Sequence, residues 1–468
     1  MAFSDTYDYD HQTVAGFIYS SIFWGVVGIV FGLWISIQLW HPAFNVPPLF
    51  TYGRIRTVHT NIMAFGLGVG VIFALFYYIT MRLTRRPLLF PRLARFQLYL
   101  FNAAIALALV TLLLGMTQSK EYAELEWPLD IGVVILWVML AINIFGTIIK
   151  RKEKQMYVSL WYIIATVVAI AILYIVNNLA VPAGWFKSYS LFAGMNDANV
   201  EWWYGHNAVG FLFTTPFLAM FYYFLPKSTG IPIFSHRLSI IAFWSLIFAY
   251  VWTGAHHLVY TPVPDWLQTV AIAFSIFLIA PSWGSVVNGY YTVGADWSKM
   301  RTNYLTKFFI LAITFYGLQT IQGPTQAIRV VSSLVHFTDW VPGHVHMGTM
   351  GWVTLTAVAS IYYVLPKIYN TEIYSEGIAN IHFWLVLVGQ LIFSITMWIT
   401  GIQQGALWKA TTPEGNLQYT FVETLARNYP YWEMRTVGGI IFTLGMFFFL
   451  YNIFMTVRRA KNVPVAAA

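Results

Sequence analysis

The sequence contains no cysteine and few charged residues. Without cysteine, the chain cannot form a disulfide, a thiolate metal site or the covalent attachment of a c-type haem. Asp, Glu, Lys and Arg make up 9% of the 468 residues, whereas soluble globular domains contain about 25%. These two shortages exclude a disulfide-stabilised fold and a soluble globular protein.

Hydrophobic residues make up 58% of the sequence and are arranged in long apolar segments. Segments of about 20 residues, long enough to cross a bilayer as a helix, recur from end to end. We therefore expect an all-α, polytopic membrane bundle of about twelve transmembrane helices, formed by one integral-membrane domain over residues 1–468. The predicted spans lie near 14–39, 56–82, 95–117, 129–149, 157–179, 202–225, 237–260, 264–292, 304–328, 340–366, 377–401 and 434–457.

The distribution of basic residues predicts how the helices are oriented. Connections after even-numbered spans hold 18 of the 26 Lys and Arg residues, and connections after odd-numbered spans hold the other eight. The positive-inside rule then places both termini in the cytoplasm, with odd-numbered helices running outward. The net charge of +8 is explained by this topology in a lipid bilayer, so no nucleic-acid partner is expected.

Six of the eleven histidines fall at one predicted depth. Starts of even-numbered spans and ends of odd-numbered spans face the outer side, and these positions hold His59, His206, His256, His257, His344 and His346. Ionisable groups inside a bilayer are costly and usually functional, and imidazole suits copper and iron. A single interfacial histidine could simply bond to a carbonyl, but six at one depth favour a metal or haem centre. A solvated or capping role is expected for the other five: His11, His41, His236, His336 and His382.

Helical spacing divides these histidines between two kinds of site. His344 and His346 are about 200° apart on a helical wheel, so they point to opposite sides of one helix and could each bind a different haem. His256 and His257 are about 100° apart and can both turn toward one metal ion. With His206 they would form a three-imidazole site that leaves a coordination position open.

Six stretches occur in an order that is specific to one family: RIRTVHTN (54–61), SKEYAELEWP (119–128), EWWYGHNAVGF (201–211), GAHHLVYTPVPDW (254–266), APSWGSVVNG (280–289) and HFTDWVPGHVH (336–346). Over all twelve spans, the chain resembles subunit I of the haem–copper oxidases, and most closely the catalytic subunit of the cbb3-type cytochrome c oxidases. The resemblance implies a terminal respiratory oxidase of the bacterial inner membrane that reduces dioxygen to water with proton uptake and pumping. The implied electron donors are membrane-anchored mono-haem and di-haem c-type cytochrome subunits.

The resemblance also implies a role for each outer histidine. His59 and His346 would be the axial pair of a low-spin haem b, and His344 would be the proximal ligand of a high-spin haem b. The ligands of a copper ion beside the high-spin haem would be His206, His256 and His257.

Further matches concern groups around these cofactors. Tyr250 corresponds to a tyrosine that is covalently joined to a copper-ligand histidine, here His206, which makes both residues catalytic candidates. Glu121 matches a carboxylate that helps to hold calcium at the haem propionates, and His336 falls near those propionates.

Neighbouring residues fit these roles. Arg54 and Arg56 lie just outside His59, where cations would neutralise propionates through charge-assisted hydrogen bonds; ordinary loop arginines are the alternative. Tyr250 precedes His257 by about 700° of helical rotation, which places both on nearly one face of a continuous helix with the tyrosine about 10 Å deeper. A phenol at that depth could supply an electron and a proton when dioxygen is cleaved.

Acidic residues are densest in one segment on the predicted outer side. Hard oxygen ligands suit calcium, although a solvated acidic loop is the alternative for Glu121, Glu124, Glu126 and Asp130.

Protons must enter from the cytoplasm. Apart from Glu201, no Asp or Glu lies clearly inside a predicted span. We therefore expect hydroxyls and water to conduct protons along a route that resembles the family's potassium-type path, unless these hydroxyls only bond to helix carbonyls. The candidate residues of this path are Ser239, Tyr250, Tyr316 and Thr320.

Two other functions stay open. Nitric oxide reductases look similar, but they place a glutamate four residues after the first metal histidine as a ligand of non-haem iron. Counted from His206, that position is Gly210, and three nitrogens without a carboxylate favour copper. A haem-containing transporter or a structural quinol-binding subunit would not need the copper ligands.

Gln322 stands where the family usually has glutamate, and glutamine cannot exchange a proton.

Overall fold

The computed structural model describes residues 9–461, and this part of the chain is almost entirely helical. Its only β-sheet among the described residues is an antiparallel hairpin of β1 (Ala180–Gly184) and β2 (Lys187–Ser190). The predicted all-α membrane fold is confirmed. Both chain ends, predicted to be cytoplasmic, lie outside the described residues.

Twelve apolar helices correspond one to one with the twelve predicted spans. Eleven of those described are long and apolar enough to cross a membrane, and α7 is an apolar helix of 15 residues. Their bounds are α1 His11–Trp40, α2 Tyr52–Thr84, α3 Pro91–Leu113, α4 Trp127–Ile149, α5 Val158–Asn177, α6 Met195–Thr229, α7 His236–Tyr250, α8 Asp265–Gly294, α9 Tyr304–Ala327, α10 Trp340–Ile368, α11 Glu376–Lys409 and α12 Tyr429–Lys461. Shorter helical segments are Pro42–Phe44, Gly254–Leu258, Lys299–Thr302, Arg329–Val335 and Phe421–Ala426.

The prediction for span 7 is wrong in its second half. The α-helix ends at Tyr250, and His256 and His257 lie on a separate 3₁₀ turn, Gly254–Leu258. The Thr253 hydroxyl donates to the Tyr250 carbonyl at 2.6 Å, and Gly254 is a poor helix former. Tyr250 and His257 therefore do not share one face of a continuous helix.

Three helices change their winding next to a predicted ligand. π-helical segments Ile62–Val69, Val209–Thr214 and Met347–Val353 interrupt α2, α6 and α10. Each segment begins three residues after a histidine: His59, His206 or His344. These helices are also the most enclosed, with 78%, 89% and 83% of their most apolar window buried, against 33–56% in the other long helices. Because π segments are rare and concentrate at functional sites, this repetition marks each of the three helices as functionally important.

A repeated polar contact, the Asn–Thr clamp, fixes three connections on the predicted cytoplasmic side. A buried asparagine of α4, α8 or α12 accepts a backbone N–H from the connection after α2, α6 or α10 at 2.9–3.1 Å. A threonine four residues later accepts the preceding N–H at 2.9–3.0 Å. The clamp residues are Asn143 with Thr147, Asn288 with Thr292 and Asn452 with Thr456. The chain therefore repeats one four-helix pattern three times.

The fold divides into two compact units. Among the described residues, the first contains 9–31 and Pro47–Phe224, and the second contains Gly32–Val46 and 225–461. A densely buried run of α2, from Val71 to Ile79, contributes to the core of the first unit. In the second unit, α10 contributes a similar run from Leu355 to Leu365. The single integral-membrane domain over residues 1–468 stays a prediction.

Candidate metal centre

His344 and His346 begin α10 and face different neighbours within the second unit. The Nδ1 atom of His344 lies 3.0 Å from Oε1 of Gln322, a residue of α9. The ring of His346 packs at 4.7 Å, centroid to centroid, against Phe393 of α11. The two imidazoles thus point to different adjacent helices, in agreement with their separation of about 200° on the wheel.

Hydrogen bonds fix the proton on the same nitrogen in three of the histidines. In the second unit, Nδ1 of His346 lies 2.7 Å from the carbonyl oxygen of Pro342. In the first unit, Nδ1 of His59 lies 2.8 Å from the carbonyl oxygen of Gly28. Carbonyl and amide oxygens can only accept, so Nδ1 donates in these residues and in His344. The lone pair is thereby assigned to Nε2, the atom that an iron ion would bind.

His256 and His257 are neighbours on the 3₁₀ turn of the second unit, with ring centroids 4.5 Å apart. Nδ1 of His256 contacts the Ser275 hydroxyl of α8. That hydroxyl donates its single hydrogen to the Ala271 carbonyl at 2.7 Å, so it accepts from His256. The lone pair of His256 is therefore on Nε2, the form in which an imidazole with an occupied Nδ1 binds metals. His206 belongs to the first unit, in α6.

Arginines on the predicted outer side have different surroundings in the two units. In the first, Nη2 of Arg56 pairs with Oε1 of Glu121 at 2.6 Å, and Arg54 donates to the Leu113 carbonyl at 2.8 Å. In the second, buried Arg435 lies 5.4 Å above the Phe393 ring that also contacts His346. The Nε atom of Arg435 has no hydrogen-bond partner within the described part of the chain. A buried guanidinium beside a candidate haem ligand fits an anionic group such as a haem propionate.

The acidic segment of the first unit is not a solvated loop. Only 6% of Glu124, 1% of Glu126 and 6% of Asp130 is exposed. Glu124 accepts from Asn61 at 3.0 Å, Glu126 from Ser188 at 2.7 Å, and Asp130 from Tyr174, Asn178 and Gln118. Burial raises the pKa of the Glu124 carboxyl to about 7, although the Asn61 amide opposes this shift. Within residues 9–461, these carboxylates do not gather three oxygens around one point.

A family model, described as cytochrome c and quinol oxidase polypeptide I, matches residues 12–441. The chain belongs to this family. It is 44% identical to the cbb3-type cytochrome c oxidase subunit CcoN1 of Stutzerimonas stutzeri, over 98% of both chains. It is 43% identical to a cytochrome c oxidase subunit 1 homolog of Agrobacterium tumefaciens, over 98% of this chain and 87% of that one.

These comparisons identify a cytochrome c oxidase subunit I of the cbb3 type, an oxidoreductase that crosses the bacterial inner membrane several times. A haem–copper terminal oxidase dimer solved by cryo-EM has the same fold, with a TM-score of 0.77 at 17% identity over 95% of this chain and 84% of that one. A nitric oxide reductase of Stutzerimonas stutzeri is a distant relative, 23% identical over 94% of this chain and 93% of that one. Membership of a haem–copper oxidase family implies haem and copper, and the imidazole donors described above suit both metals.

Two of the four hydroxyls predicted to conduct protons in this oxidase donate to carbonyls of their own helices. Ser239 donates to the His236 carbonyl at 2.6 Å, and Thr320 donates to the Tyr316 carbonyl at 2.9 Å. Tyr316 packs against Trp352 with ring centroids 4.9 Å apart, and Tyr250 is buried at the end of α7. A route through Ser239 and Thr320 requires their hydroxyls to rotate away from these carbonyls, and the path stays a prediction.

Two further histidines of the oxidase have clear surroundings. His336 stacks on Phe337 with ring centroids 3.9 Å apart, and burial lowers the pKa of its imidazole. The solvated or capping role expected for His382 is wrong. His382 is fully buried in α11, with Nδ1 3.3 Å from the Tyr362 hydroxyl and its ring 5.0 Å from Phe308. The helix begins at Glu376, so His382 lies well inside it rather than at its end.

Sequence reasoning missed two residues next to the candidate ligands. Arg435 is one of the eight basic residues that the sequence assigns to connections after odd-numbered spans, although α12 begins before it, at Tyr429. Gln322 was treated only as a lost proton carrier, whereas its amide contacts His344. The separation of 22 residues between Gln322 and His344 crosses a connection, so no helical periodicity could have paired them. An uncharged residue where the family usually has a charge was the available signal.

Proposed function

We propose that this oxidase reduces dioxygen to water at a high-spin haem b and a copper ion. Electrons would arrive through a low-spin haem b from membrane-anchored mono-haem and di-haem c-type cytochrome subunits. The observation that carries the proposal is the shared hydrogen-bond pattern of His59, His344 and His346, in which Nδ1 donates and the lone pair of each imidazole is on Nε2. The similarity to a cbb3-type oxidase supports the choice of substrate and partners.

The ligand roles follow from these donors and from the family. His59 and His346 would hold the low-spin haem b, and His344 would hold the high-spin haem b on the opposite side of α10. His206, His256 and His257 would hold copper. When bound, the two haems and copper supply the redox chemistry of dioxygen reduction.

Copper is favoured over iron by the residues of α6. Gly210 stands four residues after His206, where a nitric oxide reductase would provide a glutamate ligand. Neutral imidazoles without a carboxylate suit copper. Ser275 orients His256 by accepting its Nδ1 proton, which is the usual task of a group behind a metal ligand.

Tyr250 would supply a proton and an electron from its phenol, covalently joined to His206. Its position at the end of α7 supports this role, since the side chain is buried while the backbone turns toward His256 and His257. His256 and His257 follow on a separate 3₁₀ turn, so a continuous helix does not set their distance from the phenol.

Charged groups would hold the haem propionates and calcium. Arg54, Arg56 and His336 are the candidates from the family pattern, and Arg435 joins them because its guanidinium is buried beside Phe393 and His346. Glu121 would contribute to a calcium site, with its carboxylate already paired to Arg56. Arginine and carboxylate groups of this kind suit carboxylate anions and calcium, respectively.

Protons would be drawn from the cytoplasm through the hydroxyls of Ser239, Tyr250, Tyr316 and Thr320, with additional protons pumped. The absence of a carboxyl at position 322 leaves hydroxyls and water as carriers on α9. Each hydroxyl can both accept and donate, so rotation is enough to pass a proton along the series.

The test is metal analysis of the purified complex combined with oxygen uptake. Two haems b and one copper per catalytic chain, with cyanide-sensitive oxygen consumption driven by reduced cytochrome c, are expected. Haem with additional non-haem iron and reduction of nitric oxide would instead favour the reductase. Haem without a second metal would refute both and favour a haem-containing transporter or quinol-binding subunit.

A further inference from the structure

Gln322 is in direct contact with the candidate iron ligand His344. Its Oε1 atom lies 3.0 Å from Nδ1 of the imidazole, and both residues are partly buried in the second unit. The next residue, Gly323, brings the backbone of α9 against the ring, because a Cβ added there would lie 3.4 Å from Cε1 of His344. One turn earlier, the Gln319 amide lies so close to Gly348 of α10 that it occupies the space a Cβ would take there. Close packing of α9 on α10 therefore holds the amide in place.

Gln322 differs from the acceptors behind the other two candidate haem ligands. His59 and His346 donate to backbone carbonyls, of Gly28 and Pro342, which side-chain substitution leaves chemically unchanged. His344 alone among these three donates to a side chain. The electronic character of this one imidazole is therefore set by the amino acid at position 322.

An amide and a carboxylate act differently on such an imidazole. Both can accept the Nδ1 proton, but an ionised carboxylate attracts it more strongly and makes the ring more electron-donating toward a metal at Nε2. Electron donation and nearby negative charge both stabilise ferric iron relative to ferrous iron. A neutral amide fixes the same tautomer without either effect.

We propose that Gln322 is a positioning residue that orients His344 and keeps its imidazole neutral, so that the ferrous state of the high-spin haem is favoured. The inference rests on the proposed function, in which His344 binds that haem. It assigns the uncharged residue at position 322 a task in tuning the iron rather than in carrying protons.

The experiment compares wild type with Gln322→Glu and Gln322→Leu in the complete complex. Resonance Raman spectroscopy of the reduced protein measures the iron–histidine stretching band, and a redox titration measures the midpoint potential of each haem. Gln322→Glu should raise the stretching frequency. It should also favour the ferric state about tenfold, a fall in midpoint potential of about 59 mV for one electron. Gln322→Leu should lower the stretching frequency and broaden the band, because the ring loses its acceptor.

Two internal controls separate this effect from a general change in charge. The low-spin haem should keep its potential in all variants, since its proposed ligands use backbone acceptors. Gln326→Glu adds the same charge one turn later on α9, where the side chain accepts from Trp340 at 2.8 Å, and it should leave the iron–histidine band unchanged. An equal shift in Gln326→Glu would overturn the proposal.

The outcomes also separate this inference from the proposed function. Wild-type protein without a high-spin haem, or without an iron–histidine band that disappears in His344→Ala, would refute the proposed function. A normal band that does not move in Gln322→Glu, with an unchanged midpoint potential, would refute the role of Gln322 and leave the oxidase function standing.

Discussion

Asn288 binds both backbone polar groups of Ser235, accepting its N–H at 2.9 Å and donating to its carbonyl at 2.9 Å. Ser235 in turn caps α7 by accepting the N–H of Leu238. Asn452 makes the same pair of bonds to Ser375, at 3.1 and 2.8 Å. The start of α7 and the start of α11 are thus fixed by one buried amide each.

Replacing either amide should destabilise the protein without changing its cofactors. Asn288→Ala and Asn452→Ala each remove two partly buried hydrogen bonds and leave backbone groups unsatisfied, which costs about 2–3 kcal/mol. We expect a lower thermal midpoint, measured by loss of native haem absorption on heating. Exposed Asn416→Ala is the control; equal midpoints in all three variants would contradict the clamp.

Removing the acceptor behind His256 should weaken copper binding. In Ser275→Ala the imidazole loses the group that fixes its tautomer, and losses of this kind reduce metal affinity roughly 10–100-fold. Copper content after dialysis against a graded chelator measures the effect, with haem content unchanged. The control is Thr269→Ala on the same helix, because the Thr269 hydroxyl contacts Arg329 rather than a histidine. This variant should retain copper, and a similar loss of copper in it would argue against the assignment.

Exchanging the buried phenol at the end of α7 should abolish turnover. Tyr250→Phe removes a proton donor from the proposed centre, and loss of such a group costs roughly 10²–10⁴-fold in rate. Haem absorption should survive, because no proposed haem ligand is touched. Tyr260→Phe, which removes an exposed hydroxyl bonded to the Arg329 carbonyl, should keep its oxygen consumption. Normal oxygen uptake by Tyr250→Phe would refute the role of the phenol.

Glu124 should make stability depend on pH. Burial raises the pKa of its carboxyl from 4.5 to about 7. Between these values the folded protein keeps the proton and the unfolded chain releases it, so stability falls as pH rises through the window and levels off above it. In the presence of a calcium chelator, Glu124→Gln should have a thermal midpoint that changes less from pH 5 to pH 7.5 than that of wild type. Glu372→Gln, at an exposed carboxyl, should retain the wild-type slope.

Single mutations should separate the two candidate haems. His344 and His346 contact different helices, so His344→Ala should remove only the high-spin signal and His346→Ala only the low-spin signal in reduced-minus-oxidised spectra. Each variant should retain about half of the haem extracted from wild type. Loss of both signals in both variants would show that the two histidines do not serve separate cofactors.

Sequence periodicity predicted those parts of the molecule where one regular helix governs the geometry. The opposite directions of His344 and His346 follow from residue spacing, and the twelve helices follow from the apolar segments. The end of α7 did not follow, because a threonine hydroxyl and a glycine terminate an apolar segment that hydropathy treats as continuous.

Contacts across connections were also beyond the sequence. Buried Glu124 accepts from Asn61, and buried His382 contacts Phe308 and Tyr362. The Asn–Thr clamp recurs in three helices, yet two polar residues four positions apart are too common a pattern to predict a repeat. Only the folded chain places these side chains against the backbone groups that they satisfy.

The π turns next to His59, His206 and His344 each take in one more residue per turn than an α-helix does. The extra residue rotates the start of the helix relative to the part that packs below it. The direction of a ligand can therefore be adjusted by local insertion while the buried ridges keep their register. The ligand at the start of such a helix can therefore change while the core packing of its other end stays the same.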